Sequence, residues 1–424
     1  MGNAMDNRWY FCIDMKCFFA SVECAERGLS PFETCLAVVD ASRGNNAICL
    51  AITPKMKALG IKNRCRYNDI PKDLDFIDAK PRMRKYIEYA ANIYDVYLDY
   101  VSPLDIHVYS IDEAFLDVTS YLKTYNKTPK EFAKFLINEI AVRTKIPATC
   151  GIGTNLYLAK IALDITAKKS TDHIGFLTEK IFDLTLANHR PITDFWGLAK
   201  GTEKRLKKYG IYDMEGIKKA DKNFLYKEFG INAELLIDHA FGRETCTISD
   251  IKNYKTKSKS ISSSQILFED YDTNKAKLVL EEMTLTSTQE LLKRKVVTNS
   301  ISIYVGYSKD SIPSAGGSIR LPLATSSFKS IIKHVDYLYD KHVTLGIPIR
   351  RLGISFGGLA DESAEGYDFF TDLESIKKER DLERTIIGIK GKFGKNSVVR
   401  GFDLLEGATQ IERNKLIGGH NAND

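Results

Sequence analysis

The chain has no two cysteines at C-x-x-C spacing, no histidine cluster, no long apolar run, no internal repeat and no low-complexity tract. Each absence removes a class of protein. The eight cysteines, Cys12, Cys17, Cys24, Cys35, Cys49, Cys65, Cys150 and Cys246, are scattered, so a zinc site is not expected and reduced thiols in a cytoplasmic protein are. No stretch is apolar over the length a bilayer demands, and the opening residues lack the basic-then-apolar order of a signal peptide, so no membrane association is expected. "MGNAM" ahead of Asp6 is read as an expression scar and kept out of the fold argument.

What is there points to a multidomain globular chain. Its 424 residues exceed one ordinary core, and roughly two to four domains are expected. Hydrophobic residues at 44% and charged residues at 27% give a soluble balance. The net charge of +6 is mild, but it is not evenly spread. Between residues 254 and 358, 15 Lys plus Arg stand against 9 Asp plus Glu, so this segment carries the whole excess. A basic module on a nearly neutral body suits an anionic polymer; a solvated basic face is the commoner meaning of such a count.

Periodicity organises the chain. "WYFCIDM" reads as a buried strand and "CFFASVECAERG" as a helix ended by Gly28. "CLAVVD" and "AICLAIT" are strand candidates, "PKMKALG" a short helix, and "PRMRKYIEYAANIYDVYLDYV" a long amphipathic one. "IHVYSIDEAFLDV" reads as two strands meeting at a tight turn, followed by the helix "TPKEFAKFLINEIAVRTK". "PATCGIGT" is a strand running into a glycine turn, and "NLYLAKIALDITAKK" is the next helix. This order predicts an α/β body with antiparallel pairs mixed in. Short helices follow to about residue 243, then a polar linker around "NYKTKSKSISSS". After it the order βαββαβ is read up to "IRRLGISFGGL". An acidic patch, a charged helix and a Gly/Asn-rich end close the chain.

Three carboxylates at the ends of apolar strands stand out: Asp14 and the adjacent pair Asp112 and Glu113. Singly, each is a turn or strand-end acid. Together in an apolar setting they need counter-charge, because an unpaired buried charge costs several kcal/mol. Hard oxygen ligands select Mg²⁺ or Mn²⁺. Neighbours on a flat strand face opposite ways, so Asp112 and Glu113 converge only if the turn re-aims them. Two such ions are the apparatus of in-line phosphoryl displacement.

"IDMKCFFASVE" followed by "YSIDEAFLDV" resembles the two metal-binding motifs of the Y-family, or translesion, DNA polymerases. "CGIGTNLYLAKIALDITAKK" is similar to that family's next motif, "PITDFWGLAKGTEKRLKKYGI" to its helix-hairpin-helix thumb, and the βαββαβ segment to its little finger. "LLEGATQIERNKLIGGH" and "TPKMKALGI" resemble the UmuC-like branch of Gram-positive bacteria. The resemblance covers nearly the whole chain. It implies an α+β, multidomain right-hand polymerase: palm at 5–17 and 83–173, small fingers at 18–82, helical thumb at 174–244, linker at 245–258, little finger at 259–358 and a tail at 359–424. It implies a DNA-directed enzyme that adds dNTPs to a primer 3′-hydroxyl, with low fidelity and no proofreading exonuclease, acting in DNA damage tolerance. A monomer is expected.

Carried over by residue, Asp14, Asp112, Glu113 and the Met15 carbonyl would hold two Mg²⁺ ions, with Mn²⁺ as a substitute. Phe18 and its neighbours would offer N–H groups to the triphosphate, and Phe19 falls at the steric gate that refuses a 2′-hydroxyl. Plain core packing is the competing role of both rings. Lys160, otherwise a solvated helix lysine, matches the triphosphate-contacting lysine, and Lys57 stands where many relatives carry arginine, keeping charge without the bidentate fork. Pro54 replaces a phosphate-contacting tyrosine of archaeal relatives. Ser262, Lys293, Arg294, Lys295, Arg320, Arg350 and Arg351 are candidates for the primer-template backbone, with Gly197 and Gly201 in the thumb hairpins. "EGYDFF", with Phe369 and Phe370, resembles a sliding-clamp-binding peptide that has lost its opening glutamine; Glu365 stands near that place. A nucleotidyl cyclase would not need the hairpins or the basic module. A two-metal nuclease has no role for Phe19 or Lys160, and a catalytically dead DNA-binding subunit would not keep the acids.

Overall fold

The computed structural model describes residues 8–256, 260–369 and 372–422. The chain forms two compact units, one from residues up to Lys255 together with the last residues from Asn421, the other from Thr256–His420.

In the first unit, β1 (Tyr10–Met15) leads into α1 (Phe18–Glu26). β2 (Leu36–Val38), β3 (Ala51–Ile52), α2 (Pro54–Ala58) and β4 (Ile77–Ala79) follow. Next come α3 (Met83–Leu98), β5 (Ile106–Val108), β6 (Glu113–Asp117), α4 (Thr119–Thr124), α5 (Pro129–Thr144), β7 (Ala148–Gly153), α6 (Leu156–Ile161) and β8 (Ile174–Leu177). The rest of the unit is helical: α7 (Glu179–Leu186), α8 (Lys200–Lys207), α9 (Met214–Lys219), α10 (Lys222–Phe229), α11 (Asn232–Ala240) and α12 (Ile248–Asn253).

The main sheet has the order β5-β6-β1-β7-β8, and β3-β2-β4 form a small second sheet. β1 lies central and antiparallel to both neighbours. Period-2 alternation gives it two faces. Phe11, Ile13 and Met15 point one way, where the Phe11 ring meets Phe132 of α5 at 5.9 Å. Tyr10, Cys12 and Asp14 point the other way, toward α6, where Cys12 packs with Phe115, Ala159 and Leu163. α5 starts at Pro129 under a capping box of Thr128 and Glu131, two orphan N–H groups being satisfied at once. α6 is capped by Asn155, whose Oδ1 accepts from the Leu158 N–H at 2.8 Å.

Three expectations are corrected here. The glycines of "CGIGT" do not form a turn: Gly151 and Gly153 lie inside β7. A Cβ on Gly151 would stand 2.1 Å from the Ala159 carbonyl oxygen, and one on Gly153 would stand 2.1 Å from the Ala159 nitrogen. They are glycines because α6 lies directly on the strand. The single helix read over 155–169 is broken as well, α6 passing into a π segment at Ala162–Thr166. The linker expected at 245–258 is also partly structured. α12 begins under a Thr247/Asp250 capping box and buries Ile248 beside Tyr10 and Cys12. Ile248 and Ile251, three apart in a polar run, suffice to seat one helical turn.

The second unit runs β9 (Ile261–Tyr271), α13 (Thr273–Arg294), β10 (Val296–Tyr307), β11 (Ala315–Thr325), α14 (Phe328–His342) and β12 (Ile349–Gly357), the expected βαββαβ order. The sheet order is β11-β10-β12-β9, and both helices cover one face over a core that includes Ile301, Ile303, Ile354 and Phe356. Each fully buried side chain of this size contributes about 1.5–3 kcal/mol. The tail is an integral part of the unit. β13 (Ala360–Asp361) pairs with β10, and α15 (Leu373–Phe393) lies along α13, with Gln289 Nε2 donating to Glu383 Oε2 at 3.0 Å. Glu282 of α13 caps α16 (Gln410–Asn414), its carboxylate accepting from the Thr409 and Gln410 N–H groups at 2.9 and 3.0 Å. A hairpin of β14 (Leu416–Ile417) and β15 (His420–Asn421) follows.

Candidate active site

The site is built where β1 ends. Asp14 is directly opposite Glu113 in the antiparallel register, so both side chains leave the sheet on the α6 face. One residue on, the Met15 N–H donates to the Asp112 carbonyl at 2.9 Å. Asp112 itself precedes β6, in a tight turn where the Tyr109 and Ser110 N–H groups both donate to the Glu113 carbonyl, at 2.9 and 3.0 Å. The turn therefore frees Asp112 from strand alternation. Its carboxylate accepts from Ser110 Oγ at 2.6 Å.

α6 brings Lys160 onto the same face. Its Nζ donates to Glu113 Oε2 at 2.8 Å and stands 3.2 Å from Asp164 Oδ2. The Lys160 and Glu113 side chains are only 9% and 10% exposed. The Cys12 thiol donates to the other oxygen, Glu113 Oε1, at 3.1 Å. Burial alone would draw the Lys160 ammonium down; Cys12, Glu113 and Asp164 around it more than offset that, and it sits above the ordinary lysine value.

Asp14 is different. It is half-buried, and among the described residues no donor hydrogen-bonds its carboxylate. Burial, then the neighbouring charges of Asp112 and Glu113, push it up to about 7, with Lys160 pulling the other way. A carboxylate this short of partners gains from a cation. Asp14, Asp112 and the Met15 carbonyl are hard oxygen donors of the kind Mg²⁺ or Mn²⁺ takes, and to that extent the residues fit a divalent ion. Yet among the described residues no three His, Cys, Asp or Glu side chains already form a metal-holding group. The expected convergence of three acids is met in the backbone register and not in the side chains. Glu113 is turned to Lys160 and Cys12, and Asp112 to Ser110. The reason is electrostatic: like charges repel, and the lysine ammonium is the counter-charge that the folded chain itself supplies.

α1 starts immediately beside the acids. Cys17, left-handed at φ 49°, turns the chain from strand to helix. The N–H groups of Phe18, Phe19 and Ala20 have no acceptor among the described residues, while the Ser21 N–H already bonds to the Cys17 carbonyl at 3.0 Å. The Phe18 side chain is a core residue, 2% exposed. Phe19 is half-buried and stacks on Tyr86, ring centroids 4.6 Å apart at 22°. Lys57 of α2 is exposed beside the Cys17 thiol, which burial pushes up and Lys57 draws down.

The residues expected at nucleic acid divide. Gly197 has φ +85°, Gly201 lies in the first turn of α8, and a Cβ on either would meet nothing within 4 Å. On the second unit's sheet, Ser262, Ser355, Ser302 and Ser318 are in register across all four strands on the face away from the helices. On the same face Arg320, opposite Ser300, borders this row, and Arg351, opposite Gly306, lies beyond Tyr304 and Gly353. Small side chains flanked by arginines leave that face flat and basic. Arg350, one residue off the strand period, pairs instead with Asp270 at 3.4 Å. Lys293, Arg294 and Lys295 close α13 on the helix side, Arg294 being held by Glu290 at 2.7 Å.

Sequence reasoning missed Cys12, Asp164 and Tyr86. Cys12 carries a signal, since it lies two residues before Asp14 and so on the same strand face. Asp164 lies four residues after Lys160, the spacing of helix neighbours. Tyr86 carries none, because only the packing of α3 on α1 brings it under Phe19. Phe369 is fully exposed, and Glu365 is a structural anchor that accepts from Tyr367 and Thr325 and pairs with Arg380. Phe370 lies outside the described residues. No helix among the described residues is long and apolar enough to cross a membrane.

Comparison with known proteins agrees with this architecture. Residues 13–164 match the model of the impB/mucB/samB family and residues 258–369 that family's C-terminal domain. The chain is 30% identical to "Putative UV-damage repair protein UvrX" of Bacillus subtilis (strain 168) over 96% of either chain. It is 28% identical to "DNA polymerase IV 2" of the same organism over 98% of this chain and 99% of that one. A solved Y-family DNA polymerase chimera of Dbh and Dpo4 shares the fold, with TM-score 0.64 and 20% identity, over 83% of this chain and 99% of its own. The fold and the matched domains are those of a Y-family translesion DNA polymerase. The chain belongs to the impB/mucB/samB family, and it is a DNA-directed DNA polymerase.

Proposed function

We propose that the enzyme extends a primer 3′-hydroxyl with deoxynucleotides at the end of β1, by two-metal-ion transfer, with low fidelity and without proofreading, on damaged templates. The observation that carries this reading is Asp14: a half-buried carboxylate with no described donor, raised to about 7, opposite Glu113 and one residue from the Asp112 carbonyl. Asp14, Asp112, Glu113 and the Met15 carbonyl are the residues that would hold divalent ions, which when bound supply phosphate neutralisation and an activated primer hydroxyl. The chain's own part is positioning and charge. The N–H groups of Phe18 to Ala20, which have no acceptor among the described residues, donate to the phosphates at the start of α1. Lys57 adds positive charge at the same helix start. Lys160 pairs with Glu113 and orders the acid cluster; were Glu113 to hold an ion, the ammonium would be free for a phosphate. Phe19 walls the sugar pocket against a 2′-hydroxyl.

In this reading the five-stranded sheet is the palm, the β3-β2-β4 layer the fingers, the helices from α7 to α11 the thumb, and the second unit's flat basic sheet face the grip on the duplex backbone. The exposed Phe369, displayed from the Glu365 anchor, supports a contact with the sliding clamp. Extension of a labelled primer on a template with dNTPs and Mg²⁺ tests the assignment. The wild-type protein lengthens the label and Asp112→Asn lowers the rate at least about a hundredfold, the scale of losing one electrostatic catalytic group. A label left unchanged or shortened by the wild-type protein refutes the polymerase reading.

A further inference from the structure

Phe19 does not stand alone. Its ring stacks on Tyr86, which is fully buried and whose hydroxyl donates to Glu23 Oε1 at 2.8 Å. Glu23 also accepts from Arg82 Nε at 3.0 Å and Arg82 Nη2 at 2.8 Å, and pairs with Arg27. Its side chain is wholly buried. Two spacings of four interlock here. Phe19 and Glu23 are neighbours on one face of α1; Arg82, at the cap of α3, and Tyr86 are neighbours on the facing side of α3. Stacking joins one corner of this square and the ion pair the other, with the Tyr86 hydroxyl bonded to the acid of the ion pair.

We propose that Tyr86 is a positioning residue for sugar selection: it fixes the Phe19 ring at the depth where a 2′-hydroxyl collides with it. The inference rests on Phe19 being the sugar gate. A gate discriminates by steric clash, and clash falls away within a fraction of an ångström if the ring can retreat. The Phe19 ring cannot retreat from the pocket, because a rigid aromatic face lies behind it and that face is tied to a buried ion pair. Tyr86 hydrogen-bonds to Glu23 and to none of Asp14, Asp112 and Glu113, so its loss acts on selectivity through Phe19.

The ratio of dNTP to rNTP incorporation by the full chain tests this, measured for the wild type, Phe19→Ala, Tyr86→Leu and Tyr86→Phe, with far-ultraviolet circular dichroism as the check of folding. Tyr86→Leu is expected to lower the ratio by up to about tenfold, the equivalent of an aromatic stack, while dNTP kcat/KM stays within about threefold. Tyr86→Phe keeps the ring and is expected to restore most of the ratio. If Tyr86→Leu does not fold, Tyr86→Met fills the same volume with a flexible chain and carries the same expectation. Should Phe19→Ala relax selectivity while a folded Tyr86 variant keeps the wild-type ratio, the positioning role is overturned. Should Phe19→Ala itself leave the ratio unchanged, it is the gate that is refuted, and the buttress with it.

Discussion

Lys160 and Glu23 show how single side chains set the balance of this site. Lys160 is the internal counter-charge of Glu113 and Asp164. Lys160→Met leaves two acids facing each other with no cation, which costs about 1–3 kcal/mol. A divalent ion can take the place of the ammonium. The variant's melting temperature in chelator is therefore expected to fall below the wild type's, and added Mg²⁺ to raise it by more than it raises the wild type's. Glu23 supplies a pH signature. Burial would raise its carboxyl, but Arg82, Arg27 and Tyr86 prevail and hold it below the usual value of 4.5. A depressed folded value means that its stabilisation is complete above about pH 4.5 and is lost as pH falls through the folded value. Glu23→Gln should then lower stability at pH 7 by roughly 2 kcal/mol, and the gap to the wild type in urea midpoint should narrow below pH 4.5.

Among the elements, the pairing of β7 with α6 sets the acid site. The helix lies so close to the strand that only glycine fits at 151 and 153. Gly151→Ala drives a methyl into backbone that cannot yield, so a loss of about 3 kcal/mol is expected, with polymerase activity falling because Lys160 shifts from Glu113. Denaturant unfolding beside primer extension measures both. The second unit's sheet makes a different prediction. Arg320 borders a four-strand row of serines and Arg351 lies further along the same face, a surface suited to backbone phosphates and indifferent to base sequence. Arg320→Ala should weaken duplex binding to a similar degree on unrelated sequences and reduce the slope of log affinity against log salt by about one.

For the whole molecule the question is what completes each unit. The second unit draws on residues well past its last long strand. Glu282, 1% exposed, has its partners at Thr409 and Gln410, and Gln289 has Glu383. A chain truncated after residue 358 would strip Glu282 and Gln289 of those partners and open to water the side of α13 that the tail covers. We expect the truncated protein to unfold earlier in urea, and Glu282→Met to lower the stability of the full-length chain. Equal stability of the full and truncated chains would show that the tail is not integral to the unit.

Much of this was legible in the sequence because the signal was local. An apolar run broken by Asp14, and "SIDE" set between two strand patterns, placed the acids at strand ends, since alternation and turn chemistry act over a few residues. The βαββαβ order followed from the same periods. What stayed hidden depended on partners far apart in the chain. The sequence offered Lys160 as a phosphate contact, but only the seating of α6 on two glycines gives it Glu113 and Asp164. It set core packing against a nucleotide role for Phe18 and favoured the gate for Phe19, and packing buried the first and set the second on Tyr86. It listed seven basic and serine positions for DNA, and strand register divided them between a flat sheet face, a helix end and an ion pair. It left the order of the tail open, and buried acids on α13 hold the tail in place. Residue spacing decides which side chains share a face of one element; which two faces then meet, and so which charges find each other, is decided by the burial of apolar surface over the whole fold.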